Sequence, residues 1–367
     1  MAGGQGQRFW PLSTPDRPKQ FLDLSRSGRT LIQATFDRVV ALTGAPQRVL
    51  VATAERYLGL VAEQLPEVPS ENVLVEPTPR DSGPAIALAC LTIERRFGDV
   101  VAGFFSSDHE IAGDGFGTAV RNAIALADAE RGLVTIGITP TRPSTGYGYI
   151  ESGEGVAVSS ASAPPAGHGV SGYRVARFVE KPNLRTAEAY LASGGYLWNA
   201  GIFVWRVGAA LTELDLHAPQ LMSPLRAAFD HDAVAATFPA LPRISIDYAL
   251  MERTERAYVV PGSFAWDDIG DWVALERLLA KAANSGGPAD TNTVVGRHVG
   301  MDASGNIVYT EDPEDVVVTL GVHDLVIVKR GNALLLVHKE RVQEIKALLA
   351  DERMVEFLAE RVADTDA

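Results

Sequence analysis

The sequence predicts an α/β protein with a Rossmann-like, mixed and mainly parallel sheet flanked by helices, followed by a small β-rich domain. Two patterns support this prediction. Helical and strand-like segments alternate from residue 30 onward, which is typical of a sheet with helices on both faces. Beyond residue 290 the runs NIVYT, VVVTLG and LVIVKRGNALLLVH replace that alternation. We therefore expect a larger domain over 1–283 and a smaller β-rich domain with a terminal helix over 291–367.

The first elements follow from local spacing. TLIQATFDRVV has its apolar residues on one helical face, and Thr30 with Gln33 forms a capping box. RVLVAT is a short buried strand, and PAIALACLTIERRF is a helix with Pro84 in its first turn, where a missing N–H is tolerated. VVAGFFSSDHEI and GLVTIGI are further strands. Because ligands bind beyond the carboxyl ends of such strands, the polar tail SSDHE is expected to lie at a binding site.

The later elements are assigned in the same way. YRVARFVEKP and WNAGIFVW are strands on either side of the helix TAEAYLASGG, and SIDYALMER and DWVALERLLAKA are helices. Residues 159–172 form a predicted flexible surface loop, and ANSGGPADTN is a predicted linker. A last helical pattern, KERVQEIKALLADERMVEFLAERV, closes the chain.

Composition excludes several classes of protein. The 367 residues include 33 Lys and Arg against 46 Asp and Glu, a net charge of −13. That balance argues against general binding to nucleic acid or to an anionic membrane, which both require clustered cations. No apolar run approaches the roughly 18 residues of a membrane helix. Cys90 is the one cysteine and is interpreted as a buried small hydrophobe. We expect a cytoplasmic protein.

The opening AGGQGQRFWPLSTPDRPKQF concentrates Gly3, Gly4 and Gly6 beside two cations, Arg8 and Lys19. Its spacing is neither a Walker A loop nor a dinucleotide fingerprint. Glycines nevertheless let backbone N–H groups crowd an anion, and Pro18 limits how far Lys19 can move. A mobile segment with turn glycines is the alternative, but the placed cations favour a polyphosphate ligand.

A glycine loop of this kind should follow a buried strand, yet only Met1 precedes Ala2. Either the amino end itself lies beside the phosphates, or the chain is truncated and its sheet lacks a central strand. We favour truncation.

The motifs taken together resemble a known family. AGGQGQRFWPLS with PKQF, EPTPRDSGPAIALA, SSDHEI, TRPSTGYGYIE, FVEKP, WNAGIFVW, SIDYALME and WDDIGDW occur in the order found in sugar-1-phosphate nucleotidyltransferases, and specifically in the mannose-1-phosphate guanylyltransferase branch. The resemblance spans essentially the whole chain. It departs at Asp81-Ser82-Gly83, where the family has Asn-Thr-Ala. It implies a GT-A-like nucleotidyltransferase domain over 1–283 and a small β-helical carboxyl domain over 291–367 that is able to support a homodimer.

The resemblance also implies roles for individual residues. Arg8 and Lys19 would be catalytic. Asp108 and Asp268 would bind Mg²⁺, although each acid alone is more typical of a solvated loop or a helix cap. Asp268 is selected over Asp267 by the W-x-D-x-G spacing, and His109 is interpreted as neutral packing. The implied nucleotide-binding residues are Ala2, Gly3, Gly4, Gly6, Arg80 and Gly83, and the implied sugar-phosphate-binding residues are Gly146, Glu180, Lys181, Asn199 and Asp247.

The implied reaction joins GTP and mannose 1-phosphate to give GDP-mannose and pyrophosphate, with no nucleic-acid or membrane partner. Two alternatives remain open. One is a transferase for another nucleotide or hexose 1-phosphate, and the other is a non-catalytic subunit that senses a nucleotide sugar. Retention of Arg8, Lys19 and both acids disfavours the second. Because the chain ends at Ala367, we expect guanylyltransferase activity without the additional isomerase domain of some relatives.

Overall fold

The computed structural model describes residues 1–4, 6–157, 172–282 and 292–365. Residues 159–171 of the predicted loop and 283–291 of the predicted linker lie outside the described residues. The described strands are β1 Val51–Ala54, β2 Val73–Glu76, β3 Val101–Phe104, β4 Glu110–Ala112, β5 Leu133–Ile138, β6 Tyr149–Val156, β7 Gly172–Val179, β8 Tyr196–Arg206, β9 Ala257–Gly262, β10 Ala265–Asp267, β11 Thr293–Val295, β12 Arg297–Ser304, β13 Ile307–Thr310, β14 Val316–His323, β15 Leu325–Arg330 and β16 Ala333–His338. The described α-helices are α1 Leu31–Thr43, α2 Leu58–Gln64, α3 Ser82–Phe97, α4 Gly115–Glu130, α5 Leu184–Ser193, α6 Val207–His217, α7 Pro219–Asp230, α8 Val234–Thr237, α9 Trp272–Ala282, α10 Ile345–Leu348 and α11 Glu352–Thr365.

The central sheet has six strands in the order β3-β8-β5-β9-β7-β6. Strands β3, β5, β6 and β9 point one way, and β7 and β8 run against them. The prediction of a mixed sheet, with strands in both directions, is therefore confirmed. Its hydrogen-bonded neighbours are nevertheless mostly antiparallel, with β5 and β9 as the parallel pair, because β7 and β8 insert between strands that share a direction.

Two apolar cores cover the two faces of this sheet. One is built from α3, α6 and α7, and the other from α4 together with α5. The capping box of Thr30 and Gln33 opens α1 as predicted. Pro84 lies in the first turn of α3, and Cys90 on that helix is fully buried, which raises the pKa of its thiol to about 12. The helix-covered sheet predicted from alternation is therefore observed.

Strands β1 and β2 form a separate parallel pair beside β3. The first two residues lie between β1 and the end of β3: the Ala2 N–H donates to the Ala52 carbonyl at 2.7 Å, and the Met1 nitrogen donates to the Phe105 carbonyl at 3.0 Å. Ser107 N–H donates in turn to the Met1 carbonyl at 3.1 Å. These last two bonds are the pattern of a parallel strand pair. An apolar cavity of about 530 Å³ continues between β1 and β3 on the amino-terminal side of Met1.

The carboxyl domain begins as a parallel coil. Strands β11 to β15 alternate between one sheet, of β11, β13 and β15, and a second sheet, of β12 and β14, and β16 then pairs antiparallel with β15. This confirms the predicted β-helical character. The helical pattern predicted at the end of the chain is divided into a 3₁₀ segment over Lys339–Glu344, the single turn α10, and α11.

The carboxyl domain packs directly beneath the glycine loop. Phe9 and Trp10, which follow that loop, share an apolar core with Trp272 of α9 and with Ile307 and Tyr309 of β13. The Phe9 and Trp272 rings lie 5.2 Å apart. The two predicted domains therefore meet at the base of the site. None of the helices described here has the length and apolar character needed to span a membrane.

Candidate active site

The glycine loop is held from below by two side chains that the sequence analysis did not single out. The Gln20 amide donates to the carbonyls of Ala2 and Gly4, both at 2.9 Å, and the Ser13 hydroxyl donates to the Gly6 carbonyl at 2.6 Å. Gly6 has a φ of 55°, and a Cβ there would lie 2.6 Å from the Cβ of Lys19. Only glycine satisfies both the backbone angle and the close approach. Gln20 lies in the PKQF motif quoted above, and that motif was the sequence signal that could have identified it.

This loop lines a cavity of about 550 Å³ together with several of the predicted residues. The predicted residues in its wall are Gly3, Gly4, Gly6, Arg8, Lys19, Arg80, Asp108 and Asp268. Two further cations in the wall, Arg243 and Lys346, were not predicted, and Lys346 comes from the carboxyl domain. Five cationic side chains thus face one cavity in a chain of net charge −13. Such a concentration of positive charge suits a polyanionic ligand.

Lys19 connects the two predicted metal-binding acids. Its side chain is almost fully buried, with its ammonium 2.9 Å from an oxygen of the Asp108 carboxylate. It also donates to the carbonyl oxygens of Asp268, at 2.7 Å, and of Ile269, at 3.0 Å. Burial alone would raise the pKa of Asp108, but the Lys19 ammonium, His109 and the hydrogen bonds to the carboxylate together outweigh burial, and the pKa is lowered. Asp108 is therefore held in its ionised form.

Asp268 and its neighbour Asp267 have different surroundings. Asp268 lines the cavity, and its carboxylate accepts a hydrogen bond from the Tyr147 hydroxyl at 2.9 Å. Asp267 instead accepts from the Ile269 N–H at 2.9 Å and from Arg277 at 3.2 Å. This difference supports the choice of Asp268 as the cavity acid. Burial, reinforced by the Asp268 charge, raises the pKa of Tyr147, so that hydroxyl remains a donor.

His109 accepts a hydrogen bond from the Trp266 indole at 3.3 Å. Burial lowers the pKa of the His109 imidazole, although Asp108 and Asp268 oppose that shift. The neutral packing interpretation of His109 agrees with these contacts.

A second polar cluster contains four of the five predicted sugar-phosphate residues. The Asn199 amide donates to the Asp247 carboxylate at 2.8 Å, and the Lys181 ammonium pairs with Glu180 at 2.5 Å. Burial, together with the nearby Glu180 charge, raises the pKa of Asp247 to about 6. Neutral hydroxyl groups of a ligand are suitable partners for such a cluster, because they can donate to its carboxylates.

Tyr147 joins the two clusters. Its hydroxyl contacts Asp268, and its ring lies 5.1 Å from that of Trp198, the residue before Asn199. Arg142 donates to the Tyr147 hydroxyl at 3.1 Å and lies over the Trp198 ring at 5.0 Å. Neither Tyr147 nor Arg142 was predicted, since their contacts arise only when β10 approaches the loop before β6.

Three predicted residues lie outside these clusters. Ala2 faces the apolar cavity beside β1, and only its carbonyl supports the glycine loop. Gly83 donates its N–H to the Ile244 carbonyl at 2.9 Å, and a Cβ at this position would lie 2.6 Å from that oxygen. Close packing therefore explains why a glycine occupies position 83. Gly146 is exposed near Ser144. The glycine of this segment that lies close to the polar cluster is Gly148, where a Cβ would be 2.5 Å from a Glu180 carboxylate oxygen.

The donor set fits a hard divalent cation. Two carboxylates from remote segments, Asp108 and Asp268, line one cavity beside the cationic wall. Within the described ranges, no group of three or more His, Cys, Asp or Glu side chains is arranged to hold a metal. Two carboxylates with remaining positions filled by water and phosphate are the usual environment of Mg²⁺.

Comparison with known proteins agrees with this arrangement. A family model described as "Nucleotidyl transferase" matches residues 1–285, and one described as "MannoseP isomerase/GMP-like beta-helix domain" matches residues 296–351. The first match covers well over half of the chain, and the second covers strands β12 to β16.

Individual relatives cover nearly the whole chain. The mannose-1-phosphate guanylyltransferase of Escherichia coli (strain K12) is 39% identical over 363 residues, which are 95% of this chain and 72% of that protein. The alginate biosynthesis protein AlgA of Pseudomonas aeruginosa is 37% identical over 364 residues, 96% of this chain and 71% of that protein. A crystal structure from Thermus thermophilus, described as a mannose-1-phosphate geranyltransferase, matches with a TM-score of 0.80 and 32% identity over 95% of this chain and 97% of that one. This protein therefore belongs to the mannose-1-phosphate guanylyltransferase family of nucleotidyl transferases.

Proposed function

We propose that this protein makes GDP-mannose and pyrophosphate from GTP and α-D-mannose 1-phosphate in a Mg²⁺-dependent reaction. The supporting observation is a single cavity lined by the glycine loop, five cations and both acids, linked through Tyr147 to the polar cluster of Asn199 and Asp247. A triphosphate and a sugar phosphate are both polyanions, and such a pair requires positive charge and a hydroxyl-binding region side by side.

The proposed chemistry needs no general base. The sugar phosphate is already an anion at neutral pH, with a second pKa of about 6 by analogy with phosphoserine. One of its oxygens attacks the α-phosphorus of GTP in line, the bond from that phosphorus to the bridging oxygen breaks, and pyrophosphate departs with the electron pair. Catalysis is therefore a matter of positioning and of charge stabilisation.

Each residue has a proposed part in that reaction. Arg8 stabilises the negative charge of the triphosphate and of the departing pyrophosphate. Lys19 shares that task while it aligns Asp108 with the Asp268 segment. Lys181 orients the attacking phosphate, and Glu180 accepts from sugar hydroxyls. Gly3, Gly4, Gly6 and Arg80 bind the nucleotide. Asp108 and Asp268 are the proposed ligands of Mg²⁺, which when bound neutralises phosphate charge.

We propose that the protein acts as a homodimer through one face of the ribbon formed by β12 and β14. That face exposes five apolar side chains, of Val299, Met301, Val316, Val318 and Leu320, and Arg297 at its end is paired with Glu314 at 3.4 Å. An apolar patch whose charges at one end are paired lets two copies of an acidic chain meet without strong repulsion. A dimer in sedimentation velocity that dissociates on Val318→Asp supports this contact, and a monomeric parent protein rules it out.

The proposed location is the cytoplasm, because the reaction consumes GTP made there.

The function is tested by pyrophosphate release with GTP, ATP, UTP and dTTP, each with mannose 1-phosphate and with glucose 1-phosphate. We expect the pair of GTP and mannose 1-phosphate to give the highest kcat/KM. A higher value for another pair identifies a different hexose-1-phosphate nucleotidyltransferase. Tight binding of GDP-mannose without turnover of any pair identifies a regulatory subunit.

A further inference from the structure

Lys181 has a backbone conformation that its sequence context disfavours. Its φ is 49°, in the left-handed region, and it precedes Pro182, although a proline favours extended angles for the residue before it. Such a conformation persists only where surrounding contacts hold it. Consecutive side chains of a strand point to opposite faces, whereas here the Lys181 ammonium turns back onto the Glu180 carboxylate at 2.5 Å. The left-handed turn therefore brings two of the predicted sugar-phosphate-binding residues together.

Glu252 contacts the backbone of this turn. Its carboxylate accepts a hydrogen bond from the Glu180 N–H at 2.8 Å, across a separation of 72 residues. The bond fixes the backbone one residue before Lys181. The proposed reaction leaves Glu252 without a task, and its side chain is exposed rather than part of an apolar core. A role in holding the turn accounts for this contact.

An unusual helical turn places Glu252 beside the cluster. The segment SIDYALMER, predicted as a helix, forms a π-helical turn over Asp247–Met251, in which the Glu252 N–H donates to the Asp247 carbonyl at 2.9 Å. In an α-helix, residues five positions apart lie about 140° apart around the axis. A bond from residue i+5 to residue i brings them to the same side instead. Asp247 thus reaches the Asn199 amide while Glu252 reaches the Glu180 N–H.

We propose that Glu252 is a positioning residue that holds Lys181 in its left-handed conformation and thereby aims the Lys181 ammonium at the attacking phosphate. This inference rests on the proposed function, in which Lys181 orients that phosphate. Without an acceptor at residue 252 the backbone of Glu180 loses its anchor, and Lys181 relaxes toward the extended angles that Pro182 favours. The glycine loop and the proposed Mg²⁺ ligands belong to the other cluster and keep their geometry.

Glu252→Met tests this role, because it removes the acceptor and keeps the length of the side chain. We expect kcat/KM for mannose 1-phosphate to fall about 5- to 10-fold, the effect of one hydrogen bond to an exposed charged group. KM for GTP and the Mg²⁺ concentration for half-maximal rate should keep the parent values, whereas a general structural defect would change all three quantities. Glu252→Gln should recover most of the loss, since its amide oxygen accepts from the same N–H.

Glu255→Met is the matched control, since Glu255 is an exposed acid three residues further along the chain. It should leave all three quantities unchanged. Equilibrium binding of GDP-mannose and of GTP should be measured beside turnover, because the sugar phosphate becomes the β-phosphate of GDP-mannose. Glu252→Met should weaken binding of GDP-mannose and leave that of GTP unchanged. Thermal unfolding of each variant identifies loss of folded protein.

The outcomes are distinct. A Glu252→Met variant with the parent kcat/KM for mannose 1-phosphate overturns the inference, and so does an equal change in all three quantities. A Glu252→Gln variant as impaired as Glu252→Met shows that the charge acts rather than the hydrogen bond, which also overturns it. In each of these cases the proposed function stands. Absence of turnover with every substrate pair contradicts the proposed function, and the relative affinities for GDP-mannose and GTP then still test Glu252.

Discussion

The Lys19 ammonium lies 2.9 Å from the Asp108 carboxylate and is bonded to the backbone of the segment that carries Asp268. It is 5% exposed, and its hydrogen bonds go to the protein. Lys19 thus connects three parts of the chain that are more than 80 residues apart. Its position beside Asp108 also means that it compensates charge where a cation is proposed to bind.

Replacement of Lys19 by Met should separate turnover from metal affinity. We expect kcat to fall by a factor on the order of 10² or more, as for loss of a preorganised charge. We also expect tighter Mn²⁺ binding without nucleotide, because Asp108 loses its ammonium partner. Electron paramagnetic resonance titration measures the second effect. Lys329→Met, which breaks the remote pair with Asp315, is the control. Weaker Mn²⁺ binding in the folded Lys19 variant would contradict this view.

The adjacent acids Asp268 and Asp267 provide a matched pair. Asp268→Asn should raise the Mg²⁺ concentration for half-maximal rate by about 10-fold or more, since Mg²⁺ prefers charged carboxylate oxygens. Asp267→Asn should instead lower the melting temperature, because it weakens the contacts with Arg277 and the Ile269 N–H. Rate against Mg²⁺ concentration is the measurement. An unchanged Mg²⁺ titration in Asp268→Asn removes that residue from the proposed ligands.

The raised pKa of Asp247 has a consequence for stability. The native carboxyl has a pKa of about 6 against an ordinary value of 3.8, so the folded protein binds the extra proton between those values. Its contribution to stability is therefore full below pH about 4 and is lost as pH rises through 6. Asp247→Asn should increase the free energy of unfolding more at pH 8 than at pH 4. Urea denaturation at both values tests this, with exposed Asp302→Asn as the control.

Lys346 tests whether the carboxyl domain contributes to the nucleotide site. This exposed side chain on α10 lines the cavity, so Lys346→Ala should raise KM for GTP by about fivefold at low salt, with little change in kcat. The effect should shrink at high salt, where screening weakens exposed charges. Arg341→Ala, which removes an ion pair with Glu344 outside the cavity wall, should leave KM unchanged. Equal KM values for all three proteins would exclude this role.

The apolar cavity beside Met1 predicts that added chain stabilises the protein. It lies between the facing edges of β1 and β3, and Met1 already makes parallel-strand hydrogen bonds to the segment after β3. A six-residue extension of Val and Ile ahead of Met1 should raise the melting temperature by about 5 °C or more, through apolar burial and removal of a buried charge. A Gly-Ser extension of equal length is the control. Equal melting temperatures for the two extensions would show that the cavity does not accept a strand.

Several local features of this protein could be predicted from its sequence alone. Local spacing predicted α1 with its capping box, α3 with Pro84 in its first turn, and the burial of Cys90, since these depend on residues a few positions apart. Ordered motifs indicated the family for the same reason, because each motif is a contiguous stretch. The choice of Asp268 over Asp267 came from the W-x-D-x-G motif of the family and agrees with the cavity wall, although the role of Asp268 as a ligand stays a prediction.

Tertiary structure decided the contacts between remote segments. The contact between Tyr147 and Asp268 spans 121 residues, and the bonds from Lys19 to Asp268 and Ile269 span about 250. The approach of Lys346 to the glycine loop depends on the packing of Phe9 and Trp10 against β13. The reversed directions of β7 and β8 depend on sheet pairing, which periodicity does not encode. A side chain's partners across a fold follow from the sum of many packing energies, so a local pattern does not contain them.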